Sequence, residues 1–168
     1  MIHVCSLARL HDTVTETGAK HVVTLMKDVT MVRRPESILE ANHLLLDMDD
    51  IADIMDGYVH PTEQHVEKLI AFVTAWDRAA PIVVHCYAGI SRSTAGAFIT
   101  ACALNPKRDE LTIARAIRSF SPSAQPNSRL VTLGDTILGR NGRMIEAVRA
   151  IGPGLASYTG HPFRLDLE

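Results

Sequence analysis

The stretch IVVHCYAGISRST, residues 82–94, sets Cys86 six positions before Arg92, with Gly89 between them and Ser93 directly after. These residue types can combine a thiol nucleophile, a planar cation and a run of backbone N–H groups around one anion. The bare spacing carries no weight alone, because Cys102 is also followed six positions later by an arginine, Arg108. The intervening residues differ. Ala, Leu, Asn, Pro and Lys separate Cys102 from Arg108; there is no glycine, and Pro106 has no N–H to offer an anion. Cys102 therefore reads as a small apolar residue on a helix face, and Cys5 as its equivalent in a strand.

Cys86 follows an apolar run, PIVVH, and precedes a helix. A cysteine there stands at the carboxyl edge of a strand, where open α/β sheets bind ligands. The residues between, Tyr87, Ala88, Gly89, Ile90 and Ser91, can curl so that their N–H groups converge at the helix N-terminus as a phosphate-binding loop. Gly89 permits a backbone turn that other residues resist. Arg92 can grip two oxygens of a phosphate with its fork. The same donors favour the thiolate form of a cysteine, which is its nucleophilic form. Ser93 can hydrogen-bond the sulfur and ease its departure from a covalent intermediate, while His85 orients the loop from behind.

The elements that must hold this loop follow from periodicity. IHVCSLARL reads as a first strand, followed by a short helix over 11–17 that Gly18 closes. Residues 20–26 and 42–48 form β-branched or apolar strands, the third leading into an acid-rich loop, DDIADIMDGYVH. A helix starts at Pro61 and runs to about Asp77 on the spacing of Val66, Leu69, Ile70, Val73 and Trp76, which makes Trp76 a core residue. PIVVH is apolar on both faces and hence a central strand. Helices follow over 91–104, over ELTIARAIRSF with Asp109 as cap, and over 130–138, with GRNG interrupting before RMIEAVRAI. From about residue 152 the tail is extended or irregular, and HPFRLDLE either adds an edge strand or covers a groove. Strands alternating with helices predict an α/β fold around a mainly parallel central sheet, with residues 1–168 forming one domain.

Composition bounds the rest. The chain is 46% hydrophobic and 21% charged, with net charge −2, so it gives no reason to expect nucleic-acid or membrane partners. No window reaches the apolar length of a membrane span, and the first residues lack a signal-peptide pattern. Three cysteines do not make a disulfide framework, so a reducing cytoplasm is the expected location. Eight histidines are scattered, and His60 and His65 do not share a helical face. Neither a metal site nor a cofactor is expected.

HCYAGISRS resembles the His-Cys-two-Gly-two-Arg-Ser/Thr signature of the cysteine-based protein tyrosine phosphatases. Together with TETGAKHVVTLM and SPSAQPNSRLVTLGD, it resembles the compact dual-specificity branch, in a bacterial-looking version. Beyond about Arg140 the tail matches nothing recognisable in that family. The resemblance implies a protein tyrosine phosphatase-like α/β fold and phosphate monoester hydrolysis through a phosphocysteine. It implies a phosphorylated protein or small phosphomonoester as substrate, with phosphate or sulfate able to occupy the loop. The loop lacks the lysines of phosphoinositide-type members, which disfavours lipid phosphate. The family also implies a general acid on a separate upstream loop. Asp49, Asp50, Asp53 and Asp56 are candidates, while Asp47 lies within the strand. Aligning HLLLDM with the family's strand selects Asp50, 36 positions before Cys86. Its bland alternative is an acidic, solvated loop. Two other functions stay open: a pseudo-phosphatase that binds phosphorylated ligands, and a cysteine-based redox or arsenate-reducing enzyme. Tyr87 either lines the pocket or packs beside it. Arg33 and Arg34 read as surface charges, and Gln125 and Asn127 as residues of a loop near the site, where Gln125 either positions water or simply turns the chain.

Overall fold

Ile82, Val83 and Val84 are fully buried, as a strand covered on both faces requires. The computed structural model describes residues 1–167. Its elements are β1 (Ile2–Ser6), α1 (Leu10–Thr17), β2 (His21–Met26), β3 (His43–Asp47), α2 (Glu63–Ala75), β4 (Ile82–Cys86), α3 (Arg92–Leu104), α4 (Glu110–Phe120), α5 (Ser128–Ile137), α6 (Arg143–Ile151) and β5 (Phe163–Leu165). The sheet order is β3-β2-β4-β1-β5, so the strand that ends at Cys86 is the middle one. The first four strands run parallel and β5 is antiparallel to β1, pairing Ile2 with Leu165 and Val4 with Phe163. The tail thus supplies an edge strand.

Strand alternation divides the core. Ile2, Val4, Val23, Leu25, Ile82 and Val84 face α2–α6, with Phe98 of α3 at the centre. Cys5, Val22 and Val83 face the other way, against Leu10 and Val14 of α1. Small residues let α3 approach the sheet closely: a Cβ on Gly96 would lie 3.1 Å from both Leu25 and Val84.

Several boundaries depart from the sequence reading, three of them with a visible physical reason. β1 ends at Ser6, because a 3-10 turn over Leu7–Arg9 redirects the Leu7 N–H to Tyr87 O at 3.1 Å. α2 starts after Thr62, not at Pro61. The Thr62 side chain accepts from the His65 N–H, while the Thr62 N–H donates to His65 Nδ1 at 3.1 Å, a reciprocal cap with histidine in the place usually held by Glu or Gln. The same helix stops at Ala75, and Trp76, 3% exposed, donates its indole N–H to Ala80 O. The expected cap at Asp109 forms, its side chain accepting from Thr112 N; Asn127, read from sequence as a loop residue, caps α5 by accepting from Leu130 N, so that helix starts at Ser128 instead of 130. A buried ion pair ties α4 to the GRNG turn: Arg140 Nη1 donates to Glu110 Oε1 at 2.7 Å, with both side chains at most 6% exposed.

Candidate active site

The loop after β4 is shaped by where its carbonyls are held. A trans peptide points its C=O and the next N–H in opposite directions, so a carbonyl tied outward aims the following N–H inward. Tyr87 O accepts from Leu7 N at 3.1 Å, and Ala88 O from Gly160 N at 2.8 Å. Ile90 O accepts from Gln125 N at 3.0 Å, and Ser91 O from Asn127 N at 3.2 Å. The ties come from three separate parts of the chain: the turn after β1, the tail, and the loop before α5. Together they turn the N–H groups of Ala88, Gly89, Ser91 and Arg92 to the inner side. Gly89 lies at φ +73°, and a Cβ there would stand 2.8 Å from the Cys5 backbone, so both conformation and space demand glycine.

Cys86 lies on the floor of this loop, 2% exposed. Its sulfur is 3.1 Å from Ser93 Oγ and accepts from the Gly89 N–H at 3.3 Å. Arg92, 8% exposed, donates through Nη1 to Met48 O at 2.8 Å. Its buried Nε has no hydrogen-bond partner among the described residues. Asp50 joins from the loop after β3. Its Oδ1 accepts from Ser91 Oγ at 2.7 Å and from Asn127 Nδ2 at 2.9 Å, so residues 41 and 77 positions away hold it against the phosphate loop. The other acidic candidates are placed differently. Asp49 Oδ2 accepts from Val59 N, closing its own loop, and Asp47 binds Asp28 N and pairs with Lys27. Asp53 and Asp56 are exposed and make no hydrogen bond to the phosphate loop among the described residues.

The remaining sequence candidates separate cleanly. Gln125 and Asn127 line a cavity of about 730 Å³ beside Asp50, Ile90 and Ser91, whose far wall is Val148, Arg149, Gly152 and Pro153. Tyr87 is 68% exposed and lines a different hollow with Leu7 and Tyr158. Arg33 pairs with Glu36 on the surface, and Arg34 reaches Ile38 O, so neither arginine is directed to the loop. Cys5 and Cys102 are buried, and desolvation pushes both thiols up to about 12. Cys5 points to the α1 side of the sheet with Val83, whereas Cys86 follows Ile82 and Val84 to the other side.

Sequence reasoning singled out His85 but missed the groups that hold it and others that support the site. His85 Nε2 lies 2.6 Å from Thr24 Oγ1, which is in turn 2.8 Å from His43 Nε2, a chain from the sheet edge to the residue before Cys86. Burial lowers both histidines to about 4, so both are neutral near pH 7 and hydrogen-bond as single tautomers. Arg129 donates to Pro61 O at 2.7 Å and Ala52 O at 3.4 Å, pinning both ends of the acidic loop. Only the alternation of β2 and β3 hinted that Thr24 and His43 share a face. Nothing local signalled Arg129 or Gly160.

A family model described as "Polymorphic toxin system, DSP-PTPase phosphatase" matches residues 5–106. No curated protein matches the chain. Among solved structures, the chain is similar to the Cydia pomonella PTP-2 phosphatase, with 19% identity, 80% of this chain and 84% of that one covered, and a TM-score of 0.63. It is also similar to DUSP15, at 16% identity, 89% coverage of both chains and a TM-score of 0.66. PTPMT1, solved in complex with PI(5)P, is 15% identical, with 84% of this chain and 94% of that one covered and a TM-score of 0.62. At such identities the likeness establishes the fold. No helix among the described residues is long and apolar enough to cross a membrane.

Proposed function

Because the chain belongs to the DSP-PTPase phosphatase family of polymorphic toxin systems, we propose that it hydrolyses phosphate monoesters through a phosphocysteine on Cys86. One observation carries the reading: Cys86, Arg92 and Asp50 meet around a single loop, with Asp50 brought there by Ser91 and Asn127. In the first step the Cys86 thiolate attacks phosphorus in line. The S–P bond forms, the bond to the leaving oxygen breaks, and Asp50 gives that oxygen a proton. Arg92 and the inward N–H groups hold the non-bridging oxygens, where charge must be stabilised throughout. In the second step water attacks phosphorus, Asp50 takes its proton, and the S–P bond breaks. Ser93, 3.1 Å from the sulfur, donates to the departing thiolate. The balance is one ester and one water in, one alcohol and one phosphate out.

The substrate class is a phosphorylated protein or a small phosphomonoester. Tyr87 and Ile90 stand where a lipid-phosphate loop would benefit from cations, which favours protein phosphate over phosphoinositide. Residues 1–168 act as one unit, since the tail supplies both an edge strand and a tie to the phosphate loop. Among the described residues, Cys5 and Cys102 do not serve as a resolving thiol, because one faces the opposite side of the sheet and the other is fully buried in α3. The test is turnover of para-nitrophenyl phosphate without added metal, with mass-spectrometric trapping of a phosphocysteine in the Asp50→Ala variant. Absence of turnover, or equal turnover by Cys86→Ser, would sink the reading.

A further inference from the structure

We propose that the C-terminal segment at Thr159 and Gly160 is a positioning clamp for the nucleophile, acting through the Ala88–Gly89 peptide. The inference rests on Cys86 being the reactive thiol. The Gly160 N–H donates to Ala88 O at 2.8 Å, and Thr159 Oγ1 donates to the same oxygen at 3.3 Å. The N–H at the other end of that one peptide unit, Gly89 N–H, donates to Cys86 Sγ at 3.3 Å. Peptide planarity makes these two ends opposite poles of a rigid plate. Holding the carbonyl outward therefore fixes the inward N–H on the sulfur, and donation to the carbonyl polarises the unit so that its N–H becomes a better donor.

Steric fit supports the same assignment. A Cβ on Gly160 would lie 2.6 Å from Gly89 O and 3.3 Å from Gly89 C, while a Cβ on Gly89 would lie 2.8 Å from the Cys5 carbonyl carbon and the Ser6 nitrogen. Gly89, whose N–H closes that unit, is thus pressed between the end of β1 on one side and the tail on the other, chiefly backbone against backbone. The tail reaches this place because β5 is zipped onto β1 only three residues later, which leaves Thr159 and Gly160 little freedom. Ser157 Oγ bonds Thr159 O at 2.7 Å and stiffens the approach. Tyr158, between them, is fully exposed and takes no part in the clamp.

The test is the pH dependence of Cys86 alkylation by iodoacetate in the full chain, read at the Cys86 peptide by mass spectrometry. Gly160→Ala displaces the clamp. The expected result is an upward shift of the pH at which alkylation is half-maximal, seen as roughly 3- to 10-fold slower labelling at pH 6, because a hydrogen bond to a charged sulfur is weakened. Tyr158→Ala leaves the midpoint in place. A purely structural role would lower the melting temperature without moving the midpoint, so a folded Gly160→Ala protein with the parent's midpoint overturns the proposal. If Gly160→Ala does not fold, Thr159→Val reads the same effect, with a smaller shift in the same direction expected and no shift overturning it. A parent Cys86 that labels with the profile of an ordinary thiol also overturns it. Alkylation needs no turnover, so an inactive but normally clamped protein would refute the phosphatase reading while leaving the clamp standing.

Discussion

Asn127 offers a way to separate acid positioning from folding within one side chain. Its Nδ2 donates to Asp50 Oδ1 at 2.9 Å and to Ile51 O at 3.3 Å, while its Oδ1 accepts from Leu130 N at 3.0 Å and so caps α5. Asn127→Ala removes both functions, whereas Asn127→Ser keeps a capping oxygen and loses the reach to Asp50. The cap is worth about 1 kcal/mol, and serine replaces asparagine there almost without loss. A hydrogen bond to a charged group is worth about 1.5–3 kcal/mol. Asp50 is exposed and Ser91 Oγ still holds the same oxygen at 2.7 Å. The lower end, about 1–1.5 kcal/mol, or roughly 5- to 10-fold in rate, is therefore expected. The assay is kcat/KM for aryl phosphates whose leaving groups range from nitrophenol to unsubstituted phenol, alongside urea unfolding. Asn127→Ser should lose the full factor on phenyl phosphate, little on nitrophenyl phosphate, and almost no stability. An equal loss on both substrates, or none on either, would show that Asn127 does not position a proton donor.

Three further outcomes follow from the same geometry. Arg92→Lys keeps the charge but lacks the planar fork, so kcat should fall on the order of 10²–10³-fold, measured on nitrophenyl phosphate; retention of more than a tenth of the activity contradicts bidentate anion binding. Burial holds His85 and His43 at about 4, against an ordinary value of 6.5. Between these values the unfolded chain binds protons that the folded one refuses, so stability is complete above about pH 6.5 and declines as pH falls toward 4. His85 should cost about 2 kcal/mol on going from pH 7 to pH 5 and half-exposed His43 less, read from urea midpoints; identical midpoints refute it. Arg140→Ala strips a donor from Glu110 and from the carbonyls of Cys102 and Asn105, and leaves only Arg143 beside that carboxylate. About 3 kcal/mol of unfolding free energy should be lost by the same method, with the Cys86 alkylation profile unchanged.

Local chemistry made much of this protein readable in its sequence. Cys86, Gly89 and Arg92 lie within seven residues of one another, so their strand–loop–helix order is legible locally, even though distant donors hold the loop's carbonyls. The burial of PIVVH, the amphipathic stripe of α2 and the cap at Asp109 are likewise short-range consequences of side-chain periodicity and hydrogen-bonding type. Asp50 was singled out only through the family resemblance, and its tie to Ser91 and Asn127 left no mark in the local sequence. The start of α2 was missed because a histidine closes the Thr62 cap, a residue type that carries no such signal in sequence. Tertiary structure alone decided that His43, Thr24 and His85 form one chain, that Arg129 pins the acidic loop, and that Gly160 presses on Gly89. The first of those contacts joins side chains across three strands, and the others join segments tens of residues apart through backbone carbonyls and bare glycine surfaces. Every residue carries the same carbonyl, and which one meets a distant donor is fixed only when the sheet order and the crossover lengths bring the two together.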